Sequence, residues 1–242
     1  RGVYESIHDA AAEMGLLRRP YDCFSNWHMD DIKFTGDAYM KSLSTRLLQE
    51  MRRRRRRLRE IGNIVFDVGE EVGQLGHYIE LYNKVRGRSW KRPEHDRDFL
   101  WHFRRLSSDK GWLRFFFLFV NNEPIAAQIR LVSNGTAYFL STVYDARYRK
   151  YSPGALLLSD TMKYLIDEER VKEIDNMRGN ESYKREWFSS RRQRKGLTIF
   201  NSTANGRLLG LLTINLLPFV EKNSYVKSFR NKLATYLKRM SA

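Results

Sequence analysis

The sequence holds a single cysteine, Cys23, in 242 residues. One thiol excludes a disulfide framework and any multi-cysteine metal site. The five histidines, His8, His28, His77, His95 and His102, include no pair at metal-ligand spacing, so no metal is assigned. The longest apolar stretch, Leu208 to Val220, is too short for a membrane span and is interrupted by Asn215 and Pro218. No charged-then-apolar signal segment opens the chain, and the expected setting is the cytoplasm. A Ser/His/Asp order, a P-loop and a dinucleotide fingerprint are missing, as are internal repeats and low-complexity linkers. The first residue is Arg1 and not Met, so the chain is read as a piece of something longer.

Acidic residues are also in short supply. They number 28 against 44 Lys and Arg, a formal charge of +16 that favours anionic partners. Hydrophobic residues at 42% and aromatics at 13% nevertheless exclude a disordered chain. The positive charge gathers at Arg52–Arg57, at Arg191, Arg192, Arg194 and Lys195, and at Arg147, Arg149 and Lys150. The six consecutive arginines fall on a helix expected over Asp37 to Glu60, capped by Thr35 or Asp37. Six successive helical residues point all round the axis, so they cannot form one binding face. Some must pack their stems or pair with Glu50, Glu60, Glu70 or Glu71.

The remaining pattern is mixed α/β. Apolar spacing predicts a helix over Tyr4 to Leu17, ending near Gly15, and Tyr21 to Met29 reads as a strand. Asn63 to Val68 is a β-branched strand. Glu71 to Trp90 is helical, with Val72, Leu75, Ile79, Tyr82 and Val85 on one face. Asp96 opens a second helix carrying Phe99, Leu100, Phe103 and Leu106, which Gly111 ends. Trp112 to Val120, Ile125 to Val132 and Thr136 to Tyr144, separated by turn residues at Asn121–Pro124 and by Asn134-Gly135, predict a three-stranded antiparallel meander. A helix over Gly154 to Glu169, a strand over Val171 to Met177, a short helix over Ser182 to Ser190 and a strand over Leu197 to Asn201 follow. A helical C-terminal part ends in the basic segment Tyr225 to Met240.

Two junctions carry candidate chemistry. In the first, the strand Thr136–Tyr144 runs into Asp145 and the basic loop Arg147-Tyr148-Arg149-Lys150-Tyr151, and Ser152-Pro153-Gly154 then opens a helix. Ser152 is a favoured N-cap, and Pro153 fits the first helical turn. Gly154 lets another group approach the main chain. Free N–H groups and the positive end of the helix dipole then make an anion site beside Arg147, Arg149 and Lys150. An ordinary capped helix after a basic loop fits the same residues. In the second junction, a strand ends at Asp175-Asn176-Met177-Arg178-Gly179-Asn180-Glu181, and a short helix presents Tyr183, Lys184 and Trp187. If the two strands are neighbours, both loops emerge at one sheet end, where open sheets bind ligands. Trp187 is expected to pack inward, and Lys184, with less reason to be buried, is the better functional candidate.

These segments, with Tyr78-Ile79-Glu80-Leu81-Tyr82, Ser89-Trp90-Lys91 and Pro124-Ile125-Ala126-Ala127-Gln128, resemble the CelD-like branch of the GNAT acyltransferase superfamily, from roughly Lys41 to Asn201. That branch is associated with cellulose and exopolysaccharide synthesis and is related to the Fem-type aminoacyl transferases. The resemblance implies an α/β fold: a mixed sheet with splayed central strands flanked by helices, the pantetheine arm of acetyl-CoA or another acyl-CoA lying in the gap. It assigns the splayed pair to Thr136–Tyr144 and Val171–Met177. It assigns the diphosphate site to Tyr151, Ser152, Pro153, Gly154 and Ala155, with Arg149 and Lys150 alongside. The usual Gln/Arg-x-x-Gly-x-Gly/Ala phosphate motif is matched only at Gly154. The resemblance also implies a tail of a preceding domain over residues 1–40, a transferase domain over 41–203 and a basic helical segment over 204–242.

The expected reaction is acetyl transfer to an amine or hydroxyl of a small molecule or saccharide precursor, which needs a base, an oriented acceptor and charge stabilisation. Asp145 and Glu181 are the candidate bases, with Asp175 behind them. Tyr183 is the candidate proton donor, and Lys184 resembles the lysine that Fem-type enzymes set against an anionic group. Capping or surface pairing fits each acid equally well. Two other expectations stand: a Fem-type transferase using aminoacyl-tRNA, held by the basic clusters, and a non-catalytic protein that binds an anionic polymer or a synthase partner.

Overall fold

Two turns organise the centre of the sheet. Asn121-Asn122 and Asn134-Gly135 hold φ of 50°, 63°, 50° and 74°, left-handed at both central positions, which is the hairpin geometry matching strand twist. They join β3 (Leu113–Val120), β4 (Glu123–Ser133) and β5 (Thr136–Tyr144) into the antiparallel meander the sequence predicts. The structure, a computed structural model, describes residues 2–179 and 181–222. The expected basic segment Tyr225 to Met240 lies outside them.

The other elements, in chain order, are α1 (Val3–Glu13), β1 (Arg18–Met29), α2 (Gly36–Ser42), α3 (Thr45–Arg59), β2 (Ile64–Gly69), α4 (Leu75–Gly87), α5 (Arg97–Asp109), α6 (Pro153–Asp167), β6 (Glu173–Arg178), α7 (Lys184–Trp187), β7 (Ser190–Ile199) and α8 (Ala204–Lys222). The seven strands form one mixed sheet in the order β2-β3-β4-β5-β6-β1-β7, flanked by helices. Strand β3 is apolar without alternation because both its faces are covered. Phe116 and Leu118 enter the core shared with α3 and α6, while Phe115 and Phe117 enter a second core against α4.

The chain divides into two compact units. Among the described residues, one comprises 2–24 and 193–222. Within it, Gly15, at φ 65°, ends the turn after α1, and the Phe200 N–H donates to the Leu17 carbonyl. The other comprises Ser25–Arg192 and holds the meander, α2 to α7 and the candidate site. Residues Asn26, His28 and Met29, expected to precede the transferase domain, ladder onto β6 within this unit.

One expectation changes. The helix expected over Asp37 to Glu60 is two helices, because Leu43 is extended and Ser44 restarts the chain by accepting the Leu47 N–H; Thr35 caps the first of them. Half of the arginine run is spent on structure, and Glu50 is a partner as expected: Arg53 and Arg54 pair with Glu50, and Arg55 grips Asp160 of α6 at 2.7 and 2.8 Å. Helix α5 turns a polar face inward. Arg104, Ser107 and Ser108 are buried while Phe99 and Leu106 are exposed, because Arg104 binds Glu94 with both carboxylate oxygens and lies over the Tyr82 ring.

Candidate active site

The site is a parting between two parallel strands. Strands β5 and β6 pair through Thr136–Glu173, Ala137–Ile174 and Tyr138–Asp175, and the pairing stops there. Beyond Tyr138, the six remaining residues of β5 run on without a ladder to β6, whose other edge pairs with β1 up to Asn26–Arg178. A polar clamp turns the end of β6 aside. Asp175 Oδ1 accepts the Met177 N–H at 2.7 Å and the Asn26 side-chain N–H at 2.5 Å, and Asn26 donates to the Met177 carbonyl at 3.0 Å. Met177 sits at φ 53°, a conformation that bulky residues adopt only when their surroundings impose it.

The helix α6 begins beside the parting. Ser152 stands at the N-cap position, but it is left-handed, at φ 47°, and its side chain caps nothing; the favoured capping hydrogen bond expected of it does not form. Its carbonyl takes the N–H groups of Ala155 and Leu156 at 3.0 and 3.2 Å. Among the described residues the Gly154 N–H has no acceptor, which leaves one main-chain donor at this helix start. Arg149 and Lys150 are exposed beside it and enter no ion pair among the described residues; Lys150 lies 5.0 Å from the Tyr151 ring centroid. Tyr151 and Pro153 are buried and brace the turn from behind. A side chain at Gly154 would put its Cβ 3.2 Å from the Tyr144 ring, so this glycine permits the close approach of α6 to β5.

The candidate acids divide by environment. Asp145 is fully enclosed: its carboxylate binds the Arg147 N–H at 2.9 Å, receives the Arg147 guanidinium at 2.6 to 3.1 Å and lies 3.7 Å from Arg88. Burial raises its pKa, but the Arg147 hydrogen bonds outweigh this and hold it below the ordinary carboxylate value. Enclosed in this way, Asp145 anchors the turn that leads from β5 towards α6. Asp175 is likewise committed, to Asn26, Met177 and Arg192. Glu181 is exposed, and its carboxylate sits 2.8 Å from the Lys184 ammonium. Partial burial raises the Glu181 pKa, and the Lys184 hydrogen bond, with Lys184 and Lys91 charge, brings it below its ordinary value.

Lys184 departs from expectation. It is buried at 3% exposure, with Nζ donating to the Arg178 carbonyl at 3.0 Å and facing the Asn176 carbonyl at 3.5 Å. A buried ammonium needs such partners, and here they are the carbonyls at the end of β6 together with the Glu181 carboxylate. Tyr183, one residue before, is 48% exposed. Desolvation, then the Glu181 charge, push its phenol pKa up against the opposing effects of Arg130 and Asn176. Trp187 is buried as expected, and its carbonyl accepts the Tyr39 hydroxyl at 2.8 Å.

One buried cation escaped the sequence reading. Arg130 on β4 is fully buried, donates to the Ile129 and Ser141 carbonyls, to Gln128 Oε1 at 2.6 Å and to Thr142, and lies 3.3 Å from the Phe139 ring centroid. Its Nε has no partner among the described residues, and no carboxylate faces it closely enough to pair. Desolvation pulls its pKa down to about 9. The one available signal was a charged residue inside an otherwise apolar strand. No group of three His, Cys, Asp or Glu among the described residues is placed to hold a metal, and none of the described helices is long and apolar enough to cross a membrane.

A mixed sheet whose central parallel strands part beside a helix start is the architecture of the GNAT acyltransferases. A family model for acetyltransferase (GNAT) domains matches residues 45–185, and the chain belongs to that family. No curated protein matches the sequence. Among solved structures, FemX superposes with a TM-score of 0.58 at 10% identity, over 85% of this chain and 71% of its own. The C-terminal domain ascribed to a lysylphosphatidylglycerol synthetase of Agrobacterium fabrum gives 0.54 at 13%, over 86% and 69%. The L-PGS of Bacillus licheniformis gives 0.50 at 12%, over 86% and 70%. At these identities the likeness is one of fold.

Proposed function

We propose that this chain transfers an acyl group, acetyl in the simplest case, from an acyl-CoA to an amine or hydroxyl of a saccharide or related acceptor, as a CelD-like member of its family. The observation that carries this reading is the unladdered two-thirds of β5 beside the α6 start. Its exposed main-chain edge suits the amides of a pantetheine arm. The Gly154 N–H, Arg149 and Lys150 suit a diphosphate, with Ser152 and Ala155 shaping the turn and Tyr151 and Pro153 supporting it. The thioester of a bound acyl-CoA supplies the activated carbonyl.

The chain's own groups do the rest. Tyr183, a phenol that holds its proton at neutral pH, is pushed further from ionisation by burial and Glu181, so its Oη acts as a donor to a leaving group and not as a base. Glu181 is the acid with access to solvent and takes the acceptor's proton at its carboxylate, directly or through water. Lys184 positions Glu181 and the end of β6.

Calorimetric titration with CoA and acetyl-CoA tests the proposal. The wild type is expected to bind with saturable micromolar affinity. Gly154→Asp sets a carboxylate against the diphosphate and abolishes binding, whereas Gly154→Ala, which asks only the Tyr144 ring to shift, weakens it modestly. A wild type that binds no CoA, or a Gly154→Asp protein that binds it normally, overturns the reading.

A second reading, transfer from aminoacyl-tRNA, is favoured by Arg52, Arg56, Arg57 and Arg59 of α3, which are exposed and unpaired among the described residues. Filter binding of tRNA without CoA binding would select it. Binding of neither would leave a non-catalytic member of the family.

A further inference from the structure

A cavity of about 490 Å³ opens between α4, the segment 88–96 and the start of α5, within the range that small-molecule sites occupy. Arg86, Lys91, Arg97 and Arg104 line it, against the single carboxylate of Glu94. That carboxylate is already spent. It takes Arg104 through both oxygens at 2.8 and 2.9 Å, lies 3.6 Å from Arg86 and accepts the Tyr82 hydroxyl at 3.1 Å. Arg86 is tied as well, to Tyr82 Oη at 3.1 Å and to the Arg92 carbonyl at 2.6 Å. The Lys91 ammonium and the Arg97 guanidinium have no hydrogen-bond or ion-pair partner among the described residues.

The cavity adjoins the parting in the sheet. Tyr82 hydrogen-bonds Ser141 of β5 at 2.8 Å, in the part of that strand that β6 has left. Lys91 feels Arg86 and Glu94 on the cavity side and Arg130 and Glu181 on the other. Desolvation first, and then the charges of Arg86 and Arg130, hold its ammonium below the ordinary lysine value, a cost that an anion beside it would offset. A group placed here with two negative charges relieves both Lys91 and Arg97; a single carboxylate relieves one.

We propose that this cavity binds the acceptor by a phosphate group held between Lys91 and Arg97, so that the substrate is a phosphorylated amine or alcohol, such as an amino-sugar phosphate. The proposal rests on the reading of the chain as a transferase and names the acceptor class of that same site. A phosphate offers the geometry that guanidinium and ammonium donors recognise, and three oxygens to share between them.

Calorimetry on the full chain, with glucosamine 6-phosphate, glucosamine and inorganic phosphate as probes, tests it without turnover. The wild type is expected to prefer the sugar phosphate over the sugar by about tenfold or more, the worth of one to two charge-assisted contacts. Inorganic phosphate competes. Lys91→Gln with Arg97→Gln brings the preference to within about threefold, and Lys91→Arg with Arg97→Lys retains it. Gly154→Asp retains it too. Equal affinities in the wild type, absence of binding by sugar phosphate and inorganic phosphate alike, a preference that survives the double glutamine change, or one lost in Gly154→Asp would each overturn the proposal. CoA titrated in parallel reports separately on the transferase reading, since the cavity variants leave the diphosphate site untouched.

Discussion

Arg130 places a charge where the fold gains least from it, and this makes its replacement informative. The guanidinium is fully enclosed with no carboxylate to balance it. The fall of its pKa from 12.5 to about 9 corresponds to roughly 5 kcal/mol spent on enclosing the charge. Against that stand four hydrogen bonds, one of them long at 3.4 Å and one to the neighbouring Ile129 carbonyl. Arg130→Met keeps the volume, removes the charge and leaves Gln128 and Ser141 short of donors. The two effects offset, and stability is expected to stay within about 2 kcal/mol of the wild type. Arg130→Lys keeps the full cost of the charge and loses the planar fork that reaches Gln128 and Ser141 together, so it is expected to lose about 3 kcal/mol or more. The conservative change is then the worse one. Urea denaturation followed by far-UV circular dichroism reads both. A lysine variant as stable as the wild type, or a methionine variant less stable than the lysine one, refutes the argument.

Two other predictions concern the end of β6. Lys184→Met strands the Arg178 carbonyl and releases Glu181, costing about 1–3 kcal/mol in thermal or urea unfolding; turnover should fall far more than CoA affinity, with partial rescue by Lys184→Arg, and equal losses in both would assign it to donor binding. Asp175 is held below the ordinary carboxylate value because, although burial raises it, bonds from Asn26, Met177 and Arg192 outweigh burial. Its stabilisation is therefore complete above about pH 4, the unfolded value, and is lost as pH falls through the lower folded value. The wild-type melting temperature should drop over that acid interval more steeply than that of Asp175→Asn; parallel curves would show that the carboxylate contributes nothing.

What could be read in advance was whatever is written locally. The meander was legible because Asn121-Asn122 and Asn134-Gly135 dictate their own turns and because β3 is apolar on both faces. The parallel neighbours β5 and β6 and the α6 start came from a motif and a family likeness together. The partners of buried charges were hidden, since nothing near Arg130 in sequence announces Ser141 or Phe139, and nothing near Asp145 announces that Arg88 completes its enclosure. The inward face of α5 was hidden for the same reason: Glu94, outside the helix, decides that Arg104 and not Phe99 turns inward. Lys184 looked free because two of its acceptors are main-chain carbonyls, which no side-chain pattern reveals; its third partner, Glu181, lies three residues before it.

The parting between β5 and β6 is a cost that the rest of the unit is built to bear. Six residues of β5 forgo a ladder on one edge, and a main chain without partners is stable only where water or a ligand can reach it. Solvent alone would not hold two parallel strands apart once their first three pairs have formed, since further pairing would satisfy more groups. What prevents closure is the redirection of β6 at Met177, whose left-handed turn is fixed from one side by Asp175 and Asn26, while Lys184 takes the carbonyls that the turn exposes. Arg192 locks Asp175 from behind at 2.7 Å. None of these five residues needs to touch a substrate for the gap to exist. Their joint effect is to keep the edge of β5 open before any ligand arrives, which lowers the ordering that binding must otherwise supply.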